Sequence, residues 1–158
     1  MARARIGIVG LGTFGINHLR TFRQLHWQGV CELVAACDIN EKLLEERLKE
    51  FSFQPYTDFE EMLARERLDG VTVVTPDPYH RPLVLAAAEA GLHVLCEKPL
   101  DVTVAGCVEM IKACERAGVL LQVDFHKRHD EYHRAMKQEI DAGVLGRIEY
   151  GYAHMEDR

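Results

Sequence analysis

Two groups of residues in this 158-residue chain have the types and spacing to do chemistry. The first is Gly10-Leu11-Gly12-Thr13-Phe14-Gly15, three glycines between an apolar run and the start of a helical pattern. A turn of this kind gathers backbone N–H groups at the positive end of a helix, which suits a phosphate. Gly10 permits the tight turn, Gly12 lets a pyrophosphate approach the backbone, and Gly15 lets the helix pack against the strand. Asp38 follows at the end of the second apolar run. A carboxylate there would accept hydrogen bonds from both hydroxyls of an adenosine ribose and repel a 2′-phosphate. The pattern therefore predicts NAD in preference to NADP, with Thr13, Phe14 and Ile39 flanking the same site. Two other readings stay open. The loop is only a tight turn and Asp38 a solvated strand end, or the pair serves S-adenosylmethionine in a methyltransferase.

The second group lies at two later strand exits, Thr75-Pro76-Asp77-Pro78-Tyr79-His80 and Glu97-Lys98-Pro99. Open parallel sheets bind ligands at the carboxyl ends of their strands. Thr75, Pro76, Asp77 and His80 are expected on the nicotinamide side, with Glu97 and Lys98 across from them. An ammonium at Lys98 would hydrogen-bond a substrate oxygen and stabilise the charge that develops as its proton leaves. Partial burial would make it a better proton shuttle. A plain Glu97–Lys98 ion pair on a loop is the alternative, and such pairs are worth little. His126, His129 and His133 also share a helical spacing, but Lys127, Arg128 and Arg134 beside them favour a polar helix start over a metal site. No metal is expected.

The elements that must position these groups alternate along the chain. Apolar strands are predicted over Arg5–Val9, Cys31–Cys37, Gly70–Thr75, Leu92–Cys96 and Val119–Phe125, with an extended piece near Pro55-Tyr56. Helices are predicted over Thr13–Trp27, from an Asn40 cap to Glu50, and over Asp58–Arg65, Arg81–Ala90, Val104–Ala117 and Asp130–Ala142. Asn40 and Thr103 are N-cap residue types, and Gly91, Gly118 and Gly143 stand where helices stop. Strands alternating with helices imply a doubly wound parallel sheet of the α/β class, the NAD(P)-binding Rossmann fold. The strands are continuous apolar runs because helices cover both faces of such a sheet. A last run, Arg147–Glu156, alternates in polarity instead. It reads as a strand without a partner, open to pairing with a second copy of the chain as a homo-oligomer.

Composition bounds the function. The chain carries 19 Lys+Arg against 25 Asp+Glu, a net charge of −6 with no basic block, which argues against nucleic acid as a partner. No apolar run reaches the ~20 residues of a membrane span. No signal peptide is legible, so a cytoplasmic protein is expected. The five cysteines, Cys31, Cys37, Cys96, Cys107 and Cys114, form no CxxC pair and read as small core residues.

The motifs taken together resemble the glucose–fructose oxidoreductase / inositol dehydrogenase / rhizopine-catabolism (Gfo/Idh/MocA) family. The resemblance rests on the glycine loop with Asp38, the Thr75-Pro76…His80 turn and Glu97-Lys98-Pro99, in that order. It extends to Phe125-His126-Lys127-Arg128-His129-Asp130 and to Gly143-Val144-Leu145-Gly146-Arg147-Ile148. Asp77 departs from the family's frequent Asn, and Glu131 from its Pro. The resemblance implies an NAD-dependent oxidoreductase moving hydride between a sugar or polyol hydroxyl carbon and nicotinamide, with Lys98 polarising the reacting oxygen. It also implies a second, α+β domain carrying an acid/base histidine and aspartate. Residues 1–125 then form the dinucleotide domain and residues 126–158 the first helix and strand of a truncated substrate domain, so that the chain alone binds NAD without turnover. A non-catalytic protein that senses the dinucleotide for a partner would use the same residues.

Overall fold

The computed structural model describes residues 2–154. Six parallel strands form one sheet: β1 (Ala4–Val9), β2 (Cys31–Cys37), β3 (Gln54–Tyr56), β4 (Gly70–Val73), β5 (His93–Glu97) and β6 (Leu121–Asp124). Their spatial order is β3-β2-β1-β4-β5-β6. The direction of winding therefore reverses between β1 and β4, and a crevice opens above their carboxyl ends. Val9 pairs with Cys37 on one side and with Val73 on the other, which brings the glycine loop, Asp38 and Thr75 to one edge of the sheet.

Helices α1 (Gly15–Trp27), α2 (Glu41–Leu48), α3 (Phe59–Arg65), α4 (His80–Glu89) and α5 (Val104–Ala117) cover the sheet. Consecutive residues of a strand point to opposite faces, so Ile8 and Val9 enter different cores. Ile8 packs with Leu11, Leu19, Leu33 and Leu44 under α1 and α2. Val9 packs with Met62, Val84, Ala87 and Met110 under α3, α4 and α5. Burial on both faces is what the unbroken apolar runs encoded.

Side chains start most of these helices, at the caps the sequence placed at Asn40 and Thr103 and at Asp58, which stands one position before α3. Asn40, Asp58 and Thr103 each accept a hydrogen bond from a first-turn amide, and Gly118 ends α5 in the left-handed conformation. Asp101 reinforces the start of α5 by accepting from both the N–H and the hydroxyl of Thr103 at 2.8 Å. Those two bonds hold the Asp101 carboxyl below the usual carboxylate range. A group whose pKa is lowered on folding contributes stability above its unfolded pKa, and loses it as pH falls through the folded one. Wild type is therefore expected to lose thermal stability on acidification below about pH 4. The D101N variant should show a shallower loss in a pH series of unfolding temperatures, and parallel curves would refute the role.

The chain divides into two compact units, one ending at Asp124 and one starting at Phe125. The second contains a short 3-10 turn (His126–Arg128) and helix α6 (Glu131–Asp141), capped by Asp130. The expected strand over Arg147–Glu156 does not form across the described residues 147–154, which carry no strand and are exposed; residues 155 and 156 lie outside the described range. An extended segment becomes a strand only by hydrogen bonding to a neighbour, and among the described residues of this unit none pairs with it. No helix among the described residues is long and apolar enough to cross a membrane.

Candidate functional site

The crevice holds a cavity of about 670 Å3, within the range of small-molecule sites. Its walls include Gly10, Gly12, Thr13, Phe14, Asp38, Ile39, Thr75, Pro76, Asp77, Glu97 and Lys98. Eleven of the thirteen residues singled out in the sequence thus converge on one space. The other two, Gly15 and His80, act behind it.

The three glycines do different work. Gly10 takes φ of +92°, and a Cβ there would meet the backbone of Val74 at 2.6 Å and of Thr75 at 2.7 Å. A Cβ on Gly15 would lie 2.2 Å from the Gly10 carbonyl oxygen, so α1 can start against the loop only with glycine. A Cβ on Gly12 would meet nothing within 4 Å. Space is kept at Gly12 and close packing at the other two.

Helix α1 has no side-chain cap. The N–H groups of Gly12, Thr13 and Phe14 find no acceptor among the described residues. An uncapped helix start behind an open glycine is a seat for an anion. Asp38 braces the loop from the side: its Oδ2 accepts from the Leu11 N–H at 2.7 Å and its Oδ1 from the Asn40 N–H at 2.9 Å. A carboxylate has about four acceptor positions, so capacity remains for hydroxyl groups. Arg47 Nε adds a bond to the Leu11 carbonyl at 3.2 Å.

On the opposite side, Thr75 Oγ1 is buried without a hydrogen-bond partner among the described residues. Buried hydroxyls are almost always paired, so this atom fits a ligand that supplies the missing partner. Tyr79, Pro82, Leu83 and Phe59 give the cavity apolar walls. None of the four was singled out from sequence, because each reads locally as packing.

His80 is a correction. It does not line the cavity and is fully buried. Its Nδ1 lies 2.9 Å from the Pro99 carbonyl oxygen and its Nε2 2.8 Å from that of Thr75. It clamps the two loops that carry Thr75 and Lys98.

Lys98 departs from expectation as well. It is exposed, so the partial burial that would make it a better proton shuttle is absent. Its ammonium sits 5.5 Å from the centre of the Phe14 ring, a distance at which the ring attracts a cation. Glu97 does not form the local pair with it. The Glu97 carboxylate instead takes the Lys98 backbone N–H on Oε2 at 3.1 Å and faces His18 Nε2 with Oε1 at 3.0 Å. His18 lies inside the predicted helix Thr13–Trp27 and was not singled out from sequence. Its partners are 54 and 79 residues away in the chain, so no local pattern shows them.

In the second unit, His133 pairs with Asp130 at 2.8 Å. Among the described residues, the one group of three ligating side chains brought together is His18, Glu97 and Asp124, which the sequence did not reveal. The cysteines are packing residues. Cys31, Cys37, Cys96 and Cys114 are buried and Cys107 partly so. Burial pushes the Cys37 and Cys96 thiols up to about 12, which leaves them unreactive at neutral pH.

A doubly wound sheet whose switch-point crevice is lined by an uncapped helix start, an acid at the end of β2 and an unsatisfied hydroxyl has the form of a dinucleotide-binding domain. The chain belongs to the Gfo/Idh/MocA oxidoreductase family: residues 4–125 match its NAD-binding Rossmann domain. It is 36% identical over 145 residues to a D-apiose dehydrogenase of Paraburkholderia graminis, covering 91% of this chain and 38% of that protein. The WlbA dehydrogenase of Bordetella pertussis, solved with NADH and UDP-GlcNAcA, superposes with a TM-score of 0.85 at 32% identity, covering 92% of this chain and 44% of that one. The scyllo-inositol dehydrogenase of Lactobacillus casei, solved with NAD(H) and scyllo-inositol, gives 0.83 at 28% identity over 92% and 43%. The chain thus spans about two fifths of the length of the relatives it matches. Family membership removes the methyltransferase alternative.

Proposed function

We propose that this chain supplies the cofactor half of an NAD-dependent dehydrogenase acting on a sugar or polyol hydroxyl carbon. The observation that carries the reading is the pairing of an open, uncapped anion seat at Gly12 with Asp38 on one side and the partnerless Thr75 hydroxyl on the other. Gly12, Thr13 and Phe14 would hold the pyrophosphate through backbone N–H groups, and Asp38 the adenosine ribose. Thr75 Oγ1 would complete its hydrogen bonding on the nicotinamide half. Asp77 would line the nicotinamide side of the cavity.

NAD, when bound, supplies a hydride acceptor at nicotinamide C4. Lys98 would hold the substrate oxygen by an N–H bond and stabilise the negative charge that develops there as the proton leaves. Exposure keeps that ammonium accessible to a substrate arriving from outside this domain. Residues from Phe125 onward would begin the substrate-binding part, which the resemblance furnishes with the acid/base histidine. The 158 residues alone are then expected to bind cofactor without measurable turnover.

Fluorescence titration checks this directly. NADH should quench or transfer energy on binding, and NADPH should bind at least about tenfold more weakly because Asp38 repels the added phosphate. Equal or tighter NADPH binding would refute the Asp38 assignment, and no binding of either would refute the cofactor site.

A further inference from the structure

The reading above leaves one buried network unused. His18 lies on α1 one turn beyond Gly15 and is 9% exposed; Glu97, at the end of β5, is 7% exposed. Their side chains meet at 3.0 Å. His18 Nδ1 lies 3.3 Å from Thr72 Oγ1 on β4, and its Nε2 is 3.7 Å from Asp124 Oδ2 at the end of β6. One imidazole therefore touches three strands from the helix whose start forms the anion seat.

We infer that His18 is a positioning residue: a buried strut that ties the phosphate-seating helix to Glu97, and through Glu97 fixes where Lys98 stands. The hydrogen-bond chemistry gives the strut a direction. Ionised carboxylates only accept, so Nε2 carries the hydrogen and donates to Glu97, while the Thr72 hydroxyl donates or accepts as Nδ1 requires. Glu97 then has one oxygen on His18 and the other on the Lys98 N–H. The backbone from which the Lys98 side chain leaves is held by the same carboxylate that α1 grips. The ammonium in turn stands over Phe14, a residue of the glycine loop. Phosphate seat and ammonium are thus parts of one unit, and their separation is set by His18.

The inference rests on the cofactor reading for its consequence, but its first test does not. In the full 158-residue chain, acetylation of Lys98 by acetic anhydride is followed by mass spectrometry, with Lys42 and Lys49 as internal references. H18L cannot donate to Glu97, whereas H18Q places an amide N–H near the position of Nε2. Loss of the strut should free the ammonium from Phe14 and speed Lys98 labelling about threefold or more in H18L, with wild-type labelling retained in H18Q. Should H18L fail to fold, H18N carries the test, because its amide reaches toward Thr72 and falls short of Glu97.

The second readout compares NADH with ADP-ribose, which lacks nicotinamide. Loss of one buried charge-assisted bond is worth about tenfold in NADH affinity in H18L, with ADP-ribose changed by less than about twofold. Unchanged Lys98 labelling, or equal losses for the two ligands, would reduce His18 to a packing residue and overturn the inference. Stabilisation by Zn2+ that D124N removes would overturn it too, by making the cluster a metal site. If wild type binds neither ligand, the cofactor reading fails, and the labelling comparison still decides the strut.

Discussion

Gly15→Ala is expected to weaken NADH binding strongly and to lower the unfolding temperature, whereas Gly12→Ala weakens binding alone. The two positions differ in what a methyl group would meet. At Gly15 the added Cβ would stand 2.2 Å from the Gly10 carbonyl oxygen and 2.9 Å from its carbon. Both are backbone atoms that cannot swing aside, so α1 must withdraw from the loop. Overpacking of this kind costs about 1–3 kcal/mol, and withdrawal separates the helix start from the rest of the anion seat. At Gly12 the Cβ meets nothing within 4 Å, so the fold has no reason to respond. The methyl instead fills the space through which a pyrophosphate would reach the backbone. An affinity loss of about a hundredfold is expected from either change, roughly 2.7 kcal/mol. Calorimetric titration with NADH, beside thermal unfolding of both variants, separates them. Retained affinity in Gly12→Ala would place the phosphates elsewhere.

The second large effect is expected at Asp38. D38A removes the acceptor for the Leu11 and Asn40 amides as well as the charge facing a ribose. NADH should weaken by about ten- to a hundredfold, as expected for losing charge-assisted bonds worth about 1.5–3 kcal/mol. NADPH should weaken less, because the repulsion of its 2′-phosphate disappears along with the bonds. The ratio of the two dissociation constants should therefore move toward NADPH by about tenfold or more. D38N, which keeps an oxygen for one amide, should retain more stability and still lose discrimination. An unchanged ratio in both variants would mean that another group reads the ribose.

Much of the site was legible in the sequence because its parts are local. A glycine loop is three residues over six positions, and each glycine answers a steric demand of the turn it lies in. The same holds for the caps at Asn40 and Thr103, whose side chains bond amides three residues on. Strand β2 and helix α5 run over the predicted Cys31–Cys37 and Val104–Ala117, since apolar runs and cap-to-glycine spacings mark both ends.

What was misread is non-local. His80 was assigned to the cofactor because it ends a motif, yet its ring faces inward to Thr75 and Pro99. The alternative of a local Glu97–Lys98 ion pair fails for the same reason: the Glu97 carboxylate turns to a histidine on α1. The run from Arg147 alternates like a strand but pairs with nothing in its own unit, and alternation records which face would be buried without supplying a partner.

The sequence alone determined the winding of the sheet, the crevice at its switch point and the glycines and acid that shape it. Those follow from short-range sterics and from hydrophobic period, both written within a few residues. Only the tertiary structure decided which titratable groups meet. His18, Thr72, Glu97 and Asp124 come from four elements spread over more than a hundred residues, and a hydrogen bond between them depends on how close the sheet brings those elements. The same closeness of distant segments brings Lys98, one exposed lysine among several, over the Phe14 ring of the glycine loop.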